Sequence, residues 1–145
     1  MAVEIDPLTA ADRPAVLALW RDAEGVRVDE LDRRERYFSF LERNPGLSMA
    51  ARYEGELVGA VLCGHDGRIG YLHHMAVAAE HRRHGIGRRL VERCVRELRR
   101  IGIVQVYAFV ADRNRIGHGF WHALGWSRRG VDVMQSTDFK PENPD

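Results

Sequence analysis

The sequence predicts an α/β fold: a mixed central sheet of about six to seven strands, antiparallel in its N-terminal part and with one parallel pair, flanked by about four helices. Three observations carry that expectation. Apolar runs over 48–53, 56–63 and 69–77 are separated by tight turns, so strand follows strand in antiparallel order. A strand, a helix and a strand then succeed one another over 69–110, a spacing that requires a crossover and hence a parallel pair. Elsewhere apolar residues recur at helical spacing. The 145 residues amount to one domain's worth of chain, expected to fold over 1–138 and to leave a polar tail at 139–145.

Residues 3–5 read as a short strand. A helix follows from Thr9 or Asp12 to Ala23, with Val16, Leu17, Leu19 and Trp20 as its apolar face and Pro14 in the first turn, where proline is tolerated. A second helical stretch covers 29–43, with Leu31, Tyr37, Phe38 and Leu41 on one side, and stops at Asn44-Pro45-Gly46. Between them, 24–28 reads as a mobile loop. Glu54-Gly55 closes a hairpin and Gly64-His65-Asp66-Gly67 marks the turn into the strand 69–77. A helix from Gly85 to Arg100 buries Leu90, Val91, Cys94, Val95 and Leu98. The β-branched and aromatic run 103–110 has the pattern of a central strand covered on both faces. A last helix spans 114–124, and 126–136 is expected to add one or two final strands.

Composition narrows the function classes. With 45% hydrophobic and 30% charged residues the chain is globular rather than disordered. No apolar run approaches the ~20 residues that span a bilayer, and the acidic start Met1-Ala2-Val3-Glu4-Ile5-Asp6 is unlike a signal peptide, so neither a membrane nor export is expected. Cys63 and Cys94 are the only cysteines; too few for a disulfide framework, they read as small core residues of a cytoplasmic protein. The net charge of +1 hides a division: residues 1–66 carry 13 acidic and 8 basic side chains, residues 67–145 carry 14 basic and 8 acidic. That asymmetry points to an anionic ligand on the second half and a cationic one on the first.

The informative stretch is Arg82-Arg83-His84-Gly85-Ile86-Gly87-Arg88-Arg89, between a predicted strand and a predicted helix. Two glycines let the backbone turn tightly and gather amide N–H groups around a concavity. At a helix N-terminus those donors have no intrahelical partner and the dipole adds positive potential, so the turn suits a phosphate or pyrophosphate. Eight arginines between 81 and 100, against Glu92 and Glu97, reinforce it. A Walker A loop needs a lysine after its glycines, and Lys140 is the only lysine. A dinucleotide fingerprint needs a third glycine and an acidic residue at the next strand tip, where Val110-Ala111 stand.

Arg82-x-x-Gly85-x-Gly87, preceded by Tyr71-Leu72-His73-His74-Met75-Ala76-Val77 and followed by Arg88-Arg89-Leu90-Val91-Glu92-Arg93, resembles the acetyl-coenzyme A signature of the GNAT acetyltransferases, Gln/Arg-x-x-Gly-x-Gly/Ala. The segment from Asn114 through Phe120-Trp121 to Leu124-Gly125-Trp126 is similar to a second block of that family, at the same distance after the central strand. The resemblance implies acetyl-coenzyme A as co-substrate. Its pyrophosphate would lie on the turn formed by Arg82, Arg83, His84, Gly85, Ile86, Gly87 and Arg88. The pantetheine arm would pair like an extra strand with Met75, Ala76 and Val77, and Asn114 and Trp121 would border the cofactor. The thioester would sit where strands 69–77 and 103–110 splay apart, with an amide near Val77 donating to its carbonyl oxygen. A primary amine, of a small molecule or a protein, would attack directly without an acyl-enzyme, which leaves Cys94 no nucleophilic role.

Two departures from the family pattern bear on mechanism. Many members carry a tyrosine seven residues after the asparagine, where it can protonate the departing thiolate; here Trp121 stands there, and an indole N–H does not surrender its proton. A thiol pKa near ~8.5 makes the thiolate a tolerable leaving group without it. Protein N-terminal acetyltransferases often carry a glutamate at the position of Phe109. Among replacements as base, His73 and His74 are candidates because an imidazole ordinarily titrates near neutrality; the two point to opposite faces of a regular strand, and His73 has the parity of the glutamate base of some relatives, so His73 is the expected catalytic residue.

Other readings are weaker. His81 and His84, three apart, are flanked by arginine with no carboxylate or thiol to complete a zinc set, so no metal is expected. The basic helix lacks the aromatic interleaving of a nucleic-acid surface. Asp22, Glu24, Asp29, Glu30 and Asp32 around Gly25 would attract an ammonium-bearing acceptor. The missing tyrosine and glutamate motivate one competing reading, a non-catalytic acyl-coenzyme A sensor. Assembly as a homodimer is left open.

Overall fold

The computed structural model describes residues 2–137, so the expected tail at 139–145 lies outside the described residues. Strands β1 (Val3–Pro7), β2 (Met49–Tyr53), β3 (Glu56–His65) and β4 (Ile69–Val77) pair antiparallel, each beside the next, and β5 (Gln105–Ala108) lies parallel to β4. The helices are α1 (Arg13–Asp22), α2 (Arg34–Arg43), α3 (Ile86–Arg100) and α4 (Arg115–Ala123). The mixed sheet with one parallel pair matches the expected class. Among the described residues its five strands are fewer than the six to seven expected.

Both faces of the sheet are covered. On one, Val16, Leu17, Leu19 and Trp20 of α1 and Tyr37 of α2 pack over Ala50, Ala60, Leu62 and Ala76. On the other, Leu90, Val91, Cys94 and Leu98 of α3 pack over Met49, Ala51, Val61, Cys63 and Leu72, with Trp121 of α4 alongside. Each large aliphatic side chain so buried contributes about 1.5–3 kcal/mol. Arg52 ties strands to helix entry: its guanidinium donates to Asp6 at 2.9 Å and, in a fork, to both Asp12 oxygens at 2.9 and 2.8 Å.

Three expectations about elements need correction. The stretch 29–43 is a 3-10 turn, Glu30–Asp32, followed by α2. Asp29 and Asp32 cap that turn: the Leu31 amide donates to Asp29 at 2.9 Å and the Asp29 amide to Asp32 at 3.1 Å. The break turns Leu31 outward, 69% exposed, instead of onto the apolar side. No strand forms within 126–136 among the described residues; Val131, Val133 and Met134 are exposed, so their alternation has no partner face to bury. The run 103–110 contributes only β5, and among the described residues this strand ends the sheet as an edge rather than lying at its centre.

The feature that shapes the functional region is a β-bulge in β4. Leu62 pairs with His73 and Ala60 with Ala76, so two steps along β3 match three along β4. His74 absorbs the extra residue at φ 54°, a left-handed conformation that costs a non-glycine residue about 1–3 kcal/mol. Side-chain parity switches there. Before the bulge Leu72 faces α3, whereas after it Ala76 faces α1 and Met75 and Val77 pack toward α3. His73 and His74 therefore point to the same face, not to opposite ones.

Candidate active site

The parallel pairing of β4 with β5 runs from Ile69 and Gln105 to Leu72 and Ala108 and then stops, apart from a long bond from the Phe109 amide to the Leu72 carbonyl at 3.4 Å. Beyond that point the strands part, and a cavity of about 550 Å³ opens between them, within the range of small-molecule sites. Met75, Ala76 and Val77 of β4 line one wall, Phe109 and Val110 another, and Asn114, Phe120 and Trp121 a third. The loop after α1 closes it: Gly25, at φ 80°, approaches the Asn114 side chain so closely that a Cβ would overlap it. Asn114 cannot yield easily, because its Oδ1 caps α4 by accepting the Gly117 amide at 2.8 Å.

The mouth of the cavity is the turn 82–88. Arg83 at φ 67° and Gly85 at φ 74° alternate with ordinary residues, a pattern that turns successive N–H groups toward one side and makes an anion-binding concavity. The next backbone donors on either side are used, Arg82 to Ala79 and Arg89 to Gly85. The six amides of residues 83–88 between them reach no acceptor among the described residues. Gly87 has a separate steric reason: its Cβ would meet the Phe120 ring at 2.7 Å. Arg82, Arg83, Arg88 and His81 also line the cavity, and Arg82 Nε donates to the Val77 carbonyl at 3.3 Å.

Eleven of the thirteen residues expected at the site thus line one cavity: Met75, Ala76, Val77, Arg82, Arg83, Gly85, Ile86, Gly87, Arg88, Asn114 and Trp121. His84 and His73 do not. The His84 ring folds back on its own turn, with Nδ1 donating to the Arg82 carbonyl at 2.9 Å. His73 lies flat on Phe109, ring centroids 5.0 Å apart and planes within 3°, with Tyr71 and Phe40 further out. Burial, and secondarily the neighbouring His74, holds its imidazole below the ordinary range. The residue that reaches the cavity is His74, with its Nε2 3.0 Å from Asp32 Oδ1. Nothing in the composition of β4 announces the bulge, which is why strand parity alone does not bring out that His74, rather than His73, borders the cavity. Cys94 is buried at the α3 face, where hydrogen bonding with Cys63 and then burial push its thiol well above the usual range. It is no nucleophile.

The sequence profile of the acetyltransferase (GNAT) family matches residues 13–126. The chain belongs to that family. An acetyltransferase from Pectobacterium atrosepticum is 28% identical over 125 residues, covering 84% of this chain and 86% of that relative. Among solved structures, the GNAT chain resembles the PaiA N-acetyltransferase from Thermoplasma acidophilum in complex with coenzyme A, with TM-score 0.80, 18% identity, and coverage of 91% of this chain and 94% of that one. It also resembles the ribosomal-protein-S18-alanine N-acetyltransferase from Escherichia coli, with TM-score 0.74, 20% identity, and coverage of 97% and 88%. These likenesses extend to the fold of the GNAT chain, with its parted parallel pair. No helix among the described residues is long and apolar enough to cross a membrane.

Proposed function

We propose that this acetyltransferase binds acetyl-coenzyme A in the cavity between β4 and β5 and passes its acetyl group directly to a primary amine in a ternary complex. The observation that carries the reading is the row of six amides, 83–88, without acceptors. Unmet donors at a helix N-terminus fit a pyrophosphate, and the coenzyme A complex of the PaiA relative agrees with that ligand. The residues fit the rest of the molecule as well. Among the described residues no strand lies beside β4 at Met75, Ala76 and Val77 on the β5 side, which leaves room for an amide-bearing arm there, the Arg82 guanidinium on the Val77 carbonyl giving way to it. Asn114 and Trp121 border the same space.

When bound, acetyl-coenzyme A supplies an acyl thioester. The protein's part is to hold it in line and polarise it. A main-chain amide at the splay near Val77 would donate to an oxygen as it gains negative charge, and fixed donors of this kind are worth ~2.7–4 kcal/mol where measured. Trp121, buried against Trp126 with ring centroids 4.6 Å apart, keeps water from the inner wall and carries no transferable proton, so the leaving thiolate takes its proton from solvent or from the acceptor nitrogen. Glu24 at the rim favours a cationic acceptor. Thiol release from acetyl-coenzyme A tests the reading, with ethylamine, 2-phenylethylamine, 1,4-diaminobutane and a tetrapeptide with a free N-terminus as acceptors. Release above the uncatalysed rate, with acetylated amine by mass, is expected; cofactor binding with no release from any acceptor would favour the sensor reading instead.

A further inference from the structure

We infer that His74, not His73, is the general base of the transfer, with Asp32 as the carboxylate that positions it; the inference rests on the acetyl-transfer reading above. Three contacts fix the ring. Nε2 lies 3.0 and 3.2 Å from the two Asp32 oxygens. The His74 carbonyl accepts the Trp20 indole N–H at 2.8 Å. The Trp20 ring meets the imidazole edge-on at 4.8 Å between centroids. Asp32 is itself held, 4% exposed, accepting the Asp29 amide at 3.1 Å, while its backbone carbonyl accepts Arg13 Nη2 at 3.0 Å.

A carboxylate only accepts, so Nε2 of the neutral ring carries the hydrogen and the free lone pair falls on Nδ1. Nδ1 has no hydrogen-bond partner among the described residues, and His74 borders the cavity beside Met75. Its left-handed backbone, φ 54°, is what turns the side chain there, a conformation that asparagine and histidine tolerate better than most. Nδ1 takes one proton from the acceptor's ammonium group. The N–H bonding pair stays on nitrogen as the lone pair that attacks the thioester, and the imidazolium, stabilised by Asp32, returns its proton to water at the cavity mouth. The charged groups around the ring are Asp32 and, behind it, Arg13, then Glu24 at the end of α1, His73 on the same strand, and Arg82 and Arg83 across the cavity. Of these, Asp32 is the one in direct hydrogen-bonding contact with the ring.

The test uses the full chain, the four ammonium acceptors named above, and hydroxylamine, which is neutral at neutral pH and needs no proton removed before attack. His74→Asn is expected to lower kcat for the ammonium acceptors by roughly 10²–10⁴-fold while changing enzymatic hydroxylamine turnover little. Asp32→Asn is expected to lower kcat for the ammonium acceptors more than for hydroxylamine, with KM for acetyl-coenzyme A unchanged, a split between acceptors that loss of a merely structural contact would not produce. This second variant decides the matter if His74→Asn does not fold by circular dichroism. Thiol release that survives His74→Asn, or an equal loss with ammonium and neutral acceptors, overturns the proposal alone. Absence of release from the wild-type protein with every acceptor overturns the acetyl-transfer reading and the proposal together.

Discussion

Gly85 and Gly87 occupy one turn and answer to different constraints. At Gly85 the backbone is left-handed, φ 74°, and an added Cβ would meet no atom within 4 Å. Gly85→Ala is expected to cost about 1–2 kcal/mol through backbone strain alone. At Gly87 an added Cβ runs into Phe120 at 2.7 Å, so Gly87→Ala is expected to cost about 1–3 kcal/mol by overpacking and to displace α3 from α4. Urea unfolding of both variants separates the two causes, because only the second should be relieved by Phe120→Leu. The Asp12 carboxyl is held below its usual range, first by its hydrogen bonds with Arg52. Since the folded group titrates below its unfolded value near ~3.9, its ionised form stabilises the fold at neutral pH and that contribution is lost as pH falls below about 4. Arg52→Ala should lower stability at neutral pH by about 1.5–3 kcal/mol and flatten the fall in urea midpoint on acidification.

At the level of elements, α3 is the crossover that joins the turn 82–88, the proposed cofactor site, to the core. Leu90, fully buried, is one turn beyond Gly87 and packs within the α3 cluster. Leu90→Ala is expected to cost about 2–5 kcal/mol while acetyl-coenzyme A affinity at low temperature stays near wild type, since the amides that hold the ligand lie before it; calorimetry beside thermal unfolding checks this. The elements with strong local signals were legible in the sequence. Hydrophobic periodicity marked α1 and α3, and the tight turns at Glu54-Gly55 and 64–67 delimited β2, β3 and β4. Features set by partners across space were not. The alternation of Val131 and Val133 suits a strand but cannot supply a neighbour for it. The bulge at His74 occurs without glycine or proline, so the change of face at 73–74, and with it the Asp32 contact from a separate turn, lay beyond any pattern read along the chain. The tight turn at 82–88 was legible because its requirement is local: two glycines, flanking arginines and a helix start.

Across the whole molecule the sheet separates two chemistries. The α3 side and the turn before it carry eight arginines, and the loop between α1 and α2 carries Glu24 and the Asp29–Asp32 cap beside Arg27 and Arg33, with the cavity between them. An anionic donor and a cationic acceptor can thus approach from regions of opposite sign. Because Arg82, Arg83 and Arg88 sit at a solvent-facing mouth, acetyl-coenzyme A affinity should fall as ionic strength rises past the range where the Debye length is ~10 Å. Titrations at increasing sodium chloride would reveal it as a steady loss of affinity with unchanged stoichiometry. The central claim, that the main-chain amides of 83–88 grip the diphosphate, is tested most directly by calorimetric titration of acetyl-coenzyme A into the wild-type protein and into Gly85→Glu, whose side chain would carry a carboxylate into that concavity. Saturable binding by the wild type and none by the folded variant is the predicted result; equal affinity in both, or no heat from the wild type, would contradict it.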